Sequence, residues 1–244
     1  MTGYAILRDL QRRGFAGLRV VGDVHGDAAG FAHAIAGAEA ERLFLLQLGD
    51  LTDYGPDSPE VLRLMFRLLD ARRGRFLLGN HDHKLRRLLS GQKVRIAANG
   101  LGLTLDQLAA APDGEALAAR AIEEIGRAPA WLCLGAWGFV HAGWHPSMQY
   151  MEPPEDAGTR RPDPLISRAL FGQVTGRMQA DGYPERLHLW VDRIPPGLTV
   201  HCGHDCRSSS GRPFVQEGAQ GGRAVFLDTG AGKGGHLSWA DLRW

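Results

Sequence analysis

Seven short apolar runs punctuate the chain, at residues 18–21, 43–46, 75–78, 131–134, 137–140, 198–201 and 224–227. Most stop at glycine and a polar residue, and short runs of this kind read as buried strands. Between the early runs the apolar period lengthens to that of a helix. Residues 28–40 carry one such pattern. Residues 59–72 carry another, with Val61, Leu62, Leu64, Met65, Leu68 and Leu69 on one side and Pro59 well placed near the start. Strand–helix–strand alternation predicts an α/β domain with partly parallel sheets. Two more helical patterns, "LTLDQLAA" and "EALAARAIEEIG", fall within about 84–130 and predict a small helical insert. The stretch about 144–190 is rich in Met, Pro, Gly and charge. It reads as a long irregular surface loop with one helix near 165–171, a candidate lid. With no internal repeat and no clear linker, residues 1–244 are expected to form one domain.

Composition narrows the partners. At 44% hydrophobic residues over 244, the chain can bury a sizeable core, and a net charge of +1 gives no general pull toward nucleic acid or membrane. Only Lys84, Lys93 and Lys233 are lysines; the other basic residues are arginines. Three cysteines, Cys133, Cys202 and Cys206, do not make a disulfide framework and suit a reducing cytosol. The opening "MTGYAILRDLQRRG" lacks the apolar core of a signal peptide, and no apolar run is long enough to span a bilayer. A cytoplasmic protein is expected, and no membrane or long nucleic acid among its partners.

The polar residues that follow the runs carry the chemistry. "VVGDVHG", "LGDLTDYG" and "FLLGNHDH" place Asp23, His25, Asp50, Asn80 and His81 just past strand ends. "FVHAG" and "VHCGHD" do the same for His141 and His204. In parallel sheets ligands bind at the carboxyl ends of strands. Gly22, Gly49, Gly79 and Gly203 are expected to let the backbone turn so that the next side chain enters a common site. Carboxylate, imidazole and amide donors without thiolate suit Mn, Fe or Zn with open positions, and enough are present for two metals bridged by one carboxylate. "HCGHDC" also resembles half of a zinc knuckle, but no matching second pair exists, so Cys202 and Cys206 are read as packing residues. Trp144 and His145 either line the pocket or pack beneath it.

In order, "GDVHG", "GDLTDYG", "GNHD", "HAG", "GHD" and the closing "FLDTGAGKGGHLS" resemble the metal-dependent phosphoesterases of the phosphoprotein phosphatase type, over nearly the whole chain. "GNHDHKLRRLLSGQKV" and "GLTLDQL" look most like the phosphatase module of RNA-repair polynucleotide kinase–phosphatases, or like dinucleoside tetraphosphatases and small bacterial Ser/Thr protein phosphatases. The resemblance implies a four-layer αββα calcineurin-like sandwich. It implies that Asp23 and His25 hold one metal, that Asn80, His141 and His204 hold the other, and that Asp50 bridges them. His81, oriented by Asp53, would be the general acid, and a metal-bridging hydroxide the nucleophile. The cofactors would be two divalent ions, manganese first, with iron or zinc as alternatives. The expected reaction is hydrolysis of phosphate monoesters on a phosphoprotein or nucleotide, in the manner of a serine/threonine protein phosphatase. The alternatives are a nucleotide phosphoesterase acting on dinucleoside polyphosphates or on cyclic or 3′-phosphate ends, and an inactive relative serving as a binding platform.

Two positions depart from the family pattern. Asp205 stands where threonine is usual, and Tyr54 stands where an arginine grips phosphate oxygens. Tyrosine offers one neutral hydroxyl where arginine offers a charged fork. Either Tyr54 simply packs at the turn, or the substrate carries less charge, or another cation serves; Lys84, Arg177 and Arg207 are the candidates nearest in sequence.

Overall fold

A computed structural model describes residues 3–179 and 184–244 of the chain. Its strands form two mixed sheets and a separate hairpin. The first sheet runs β11-β1-β2-β3, from Trp239–Arg243, Gly17–Val21, Leu43–Gln47 and Gly74–Phe76. The second runs β4-β5-β8-β10-β9, from Trp131–Leu134, Trp137–Val140, Thr199–Cys202, Arg223–Phe226 and Phe214–Glu217. β1, β2 and β3 are mutually parallel, as are β5, β8 and β10; the edge strands β11, β4 and β9 are antiparallel. Six parallel strands therefore deliver their carboxyl ends toward one rim of the sandwich.

Strand alternation explains why both faces are apolar. Leu18, Val20 and Leu46 of the first sheet meet Leu134 and Phe139 of the second in one core, closed by Leu10. Leu10 lies on helix α1, Gly3–Arg12, an element not anticipated in the N-terminal stretch. The intervening residues Val21, Leu43 and Leu45 turn outward to a second core with Phe31 of α2 (Ala28–Ala40) and Leu62, Met65 and Phe66 of α3 (Ser58–Asp70). Arg19 is the exception on β1. Its buried guanidinium bonds both carboxylate oxygens of Asp241 on β11, at 2.8 and 2.7 Å.

Helix starts follow the capping chemistry. Asp27 accepts the Gly30 N–H at 2.9 Å, Asp57 accepts that of Glu60 at 2.9 Å, and Asp163 caps α7, Pro164–Phe171. The helical region begins before the expected 84–130 and ends within it. α4, Asn80–Leu89, begins at the end of β3, and α5, Leu103–Ala110, and α6, Gly114–Arg127, follow. Within 144–190 the structure adds to α7 a two-stranded hairpin, β6 (Gln173–Met178) and β7 (Pro184–Leu187), where irregular loop was expected. Residues 180–183 of that stretch lie outside the described residues. No described helix is long and apolar enough to cross a membrane.

Candidate active site

The loops after β1, β2, β3, β5, β8 and β10 converge. Asp23, His25, Asp50 and His141 are buried there, each no more than 1% exposed. Two donor clusters result, Asp23/His25/Asp50 and Asp50/His141/His204, and in each the ligand atoms lie within 4.8 Å of one another. Asp50 belongs to both. His141 Nε2 lies 3.4 Å from Asp50 Oδ2 and 2.9 Å from Asn80 Oδ1, so Asn80 joins the second cluster. His25 Nε2 lies 3.7 Å from Asp23 Oδ2 and 3.8 Å from Asp50 Oδ2.

Three of the four expected turning glycines serve space rather than handedness. A Cβ on Gly79 would lie 2.3 Å from the Asp50 amide nitrogen, and one on Gly203 would lie 1.9 Å from Asp23 Oδ1. Gly22 is similarly pressed on the Leu227 carbonyl, and only Gly49 has positive φ. The left-handed turns fall instead on His25, Asp50, Asp53, Tyr54 and His204, with φ between 46° and 76°. Such conformations cost energy for residues with a Cβ and collect at functional sites.

The donor atoms fit metal ions. His25 Nδ1 lies 2.9 Å from the Thr52 carbonyl and His141 Nδ1 lies 3.0 Å from that of Leu48. Each Nδ1–H donates outward, which aims the Nε2 lone pair inward, the usual arrangement of a ligating histidine. His25 Nε2 is buried without a hydrogen-bond partner, an orphan acceptor at the centre of the first cluster. Burial, then the charge of Lys233, holds His25 down at about 3, so it is neutral and able to ligate. His204 is also held low, by burial and by His141. Burial and the neighbouring Asp228 carboxylate push Asp23 up. His141 is pushed up to about 9: burial opposes its charge, but Asp50 outweighs it. Several buried carboxylates face one another here, and added positive charge would relieve that repulsion.

Beside the clusters, His81 Nδ1 lies 2.5 Å from Asp53 Oδ2, while its Nε2 is 4.0 Å from Asp50 Oδ2. Burial disfavours its charge, but Asp50 and then Asp53 raise its pKa above the ordinary imidazole value. Residues not singled out from the sequence hold these groups. Thr104 donates to Asp53 Oδ1 at 2.8 Å and accepts the Asp53 N–H at 3.0 Å. Asp82 accepts the N–H groups of Asp50, Leu51 and Gly79 at 2.7, 3.0 and 3.1 Å. Both lie in quoted stretches, "GNHD" and "GLTLDQL", where a signal existed. Arg186 of β7 sets a positive charge against His204 and Asp205, and its Nη1 is buried without a partner.

This ordered set has a counterpart outside the chain. The family model described as calcineurin-like phosphoesterase matches residues 18–157. The chain belongs to the calcineurin-like phosphoesterase family. Its curated relatives include asymmetrical bis(5′-nucleosyl)-tetraphosphatases PrpE. The one from Geobacillus thermodenitrificans is 29% identical over 195 residues, spanning 78% of this chain and 72% of the relative. The one from Bacillus subtilis is 30% identical over 204 residues, spanning 81% and 75%. A Saccharomyces cerevisiae serine/threonine phosphatase structure shares the fold, with a TM-score of 0.53 at 14% identity, spanning 99% of this chain and 88% of that one. A calcineurin-like phosphoesterase hydrolyses phosphate esters, and the oxygen and nitrogen donors here are of the kind such dinuclear centres use. The thiols stand outside both clusters: Cys202 is buried within β8 and Cys206 is exposed.

The four substrate-binding candidates differ in their surroundings. Arg207 bonds His188 Nδ1 at 3.1 Å and lies over the Phe214 and Phe226 rings. Arg177 is on the exposed β6 strand, and Lys84 lies on α4 beyond Asn80. Among the described residues none of the three makes a hydrogen bond or ion pair with a ligand residue. Trp144 is core, packed on Gly138, and His145 caps the next turn through Ser147. Tyr54 is half-buried, with its ring edge-on to His25 at 5.0 Å and to His81 at 5.4 Å between centroids.

Proposed function

We propose that this calcineurin-like phosphoesterase is a two-metal nucleotide phosphohydrolase acting on dinucleoside polyphosphates. The carrying observation is the pair of donor clusters sharing Asp50 with the His81–Asp53 couple beside them. Asp23 and His25 would hold one ion, Asn80, His141 and His204 the second, and Asp50 would touch both. When bound, the two ions supply positive charge to the phosphoryl oxygens and an activated water for in-line attack. Manganese is the first candidate on donor type, with iron and zinc beside it.

The chain's own residues then handle the proton. The Asp53 carboxylate takes the Nδ1–H of His81, which leaves Nε2–H free to protonate the departing oxygen. Thr104 fixes Asp53 in that role. The neighbouring Asp50 and Asp53 carboxylates raise the His81 pKa above the ordinary imidazole value, which favours its proton-bearing form. On a dinucleoside tetraphosphate, water would add at one end phosphoryl group, releasing a nucleoside triphosphate and a monophosphate.

The PrpE relatives favour this substrate, since they are 29–30% identical over most of the chain. A second reading, a phosphoprotein monoesterase, draws on the His81–Asp53 couple. An alkoxide leaving group needs a proton far more than a triphosphate does. Diadenosine tetraphosphate and a phosphoserine peptide, each incubated with manganese-loaded protein, separate the two. Formation of ATP and AMP at a kcat/KM well above that for the peptide is expected. Turnover of the peptide alone would install the second reading, and turnover of neither would favour the binding-platform alternative.

A further inference from the structure

The loop after β10 is built to present one side chain. Gly230, Gly232 and Gly234 all have positive φ, at 82°, 70° and 89°. The loop is closed by the Lys233 and Gly235 N–H groups donating to the Gly230 carbonyl, at 3.0 and 2.9 Å. It is anchored at its base by Gly230 N–H on Asp228 Oδ1, 2.9 Å. Gly232 lies against the backbone of His25, where an added Cβ would come 2.1 Å from the His25 carbonyl oxygen. No other residue fits there, so the loop's distance from the first donor cluster is fixed.

At the tip, Lys233 Nζ lies 4.5 Å from the centroid of the Tyr54 ring. That ring is itself edge-on to His25 and His81. Among the described residues no carboxylate forms an ion pair with Lys233, although its charge reaches Asp23. Its charge is felt in the site, where it presses His25 down and opposes protonation of His81. A solvated surface lysine would need neither a glycine-wound loop nor an aromatic seat.

We propose that Lys233, seated on the Tyr54 ring, is the residue that grips a non-bridging phosphate oxygen of the substrate, and that Tyr54 acts as its positioning residue. This rests on the phosphohydrolase reading above. An ammonium is a compact point charge with three donors, so it favours a single oxygen at the end of a phosphate chain over bidentate recognition. Cation–π contact keeps the flexible stem over the ring and reduces the ordering needed when phosphate arrives.

The test uses manganese-loaded full-length protein and inorganic phosphate as the probe. Phosphate affinity is measured by calorimetry and metal content by elemental analysis, for wild type, Lys233→Met, Lys233→Arg and Tyr54→Leu. Lys233→Met should weaken phosphate about tenfold with both metals retained. Lys233→Arg should recover most of the loss, and Tyr54→Leu should lose part of it. On substrate, Lys233→Met should lower kcat/KM by a similar factor. Phosphate binding by Lys233→Met equal to wild type, or wild type that binds no phosphate, overturns the proposal. Wild type that binds phosphate through Lys233 yet hydrolyses no nucleotide would refute the substrate reading while leaving Lys233 as an anion site.

Discussion

Replacing Asp53 by asparagine should cost activity only where the leaving group needs a proton. Asp53 is buried and fixed on two sides, with His81 Nδ1 at 2.5 Å from one oxygen and the Thr104 hydroxyl at 2.8 Å from the other. Asparagine keeps the shape and one acceptor but removes the charge. A charge-assisted hydrogen bond is worth about 1.5–3 kcal/mol and a neutral one about 1, so the difference is roughly 0.5–2 kcal/mol. That corresponds to a fall in the His81 pKa of up to about 1.5 units, and to a rate loss of about 2- to 30-fold where His81 donates in the transition state. The loss stays bounded because Asp50 also supports the charge on His81. The assay is kcat/KM across aryl and alkyl phosphate esters of rising leaving-group pKa. The slope of log rate against that pKa should steepen in Asp53→Asn, with nitrophenyl phosphate almost unaffected. The alkaline limb of the pH profile should move to lower pH, since His81 would lose its proton sooner. An equal loss on all esters, with metal content unchanged, would refute the acid role and leave His81 as a steric element of the metal site.

Gly203→Ala places a Cβ 1.9 Å from Asp23 Oδ1, so Asp23 must move; one metal per chain should be lost by elemental analysis while circular dichroism is retained, and two retained metals would count against the site. Removal of metal with a chelator should lower the melting temperature. At free manganese about 100-fold above its Kd, one site adds roughly 2.7 kcal/mol, which is about 5–10 °C for a domain of this size; a melting temperature indifferent to manganese would contradict the donor assignment. Arg19→Met leaves the Asp241 carboxylate without its partner and loosens β11 from β1. It should cost about 2–3 kcal/mol in urea denaturation, the low end for a broken buried pair because Asp241 is partly exposed.

The strands that carry ligands were legible because each is short, apolar on both faces and stopped by glycine before a polar side chain. β1, β2, β3, β5, β8 and β10 all begin and end within a residue or two of their apolar runs, β3 being the shortest at three residues. β9 and β11, "FVQE" and "WADLR", were missed because they are edge strands with one open face, and β11 holds its place partly through the Arg19–Asp241 pair. The β6–β7 hairpin is exposed along β6 and half-buried along β7, so no run marks it. In the site, a metal-ligand type immediately after a strand is a local signal. The residues that hold ligands in place lie in motif stretches, but what they do there is not local: Thr104 on α5 acts on Asp53 in the loop after β2, and Asp82 gathers the Asp50 and Leu51 amides of that loop together with Gly79 at the start of its own helix.

The substitution at position 54 shows where local reading stops and why. In sequence, Tyr54 is a lost cation, and the natural search runs through the basic residues of the flanking motifs. In space, its ring faces the last glycine-rich loop, and the charge returns on Lys233, delivered by an element formed after every ligand has been placed. A ring at 54 and a lysine at 233 make sense only together. Arginine at 54 would bring its own charge into a rim already occupied by an ammonium, and a lysine at 233 without the ring would lose its seat. The two positions should therefore vary as a pair. Tyr54→Arg in the wild-type background should weaken phosphate binding by like-charge crowding, whereas Tyr54→Arg combined with Lys233→Met should restore it to within a few-fold of wild type. A double variant no better than the sum of its two single losses would show that the two residues act independently.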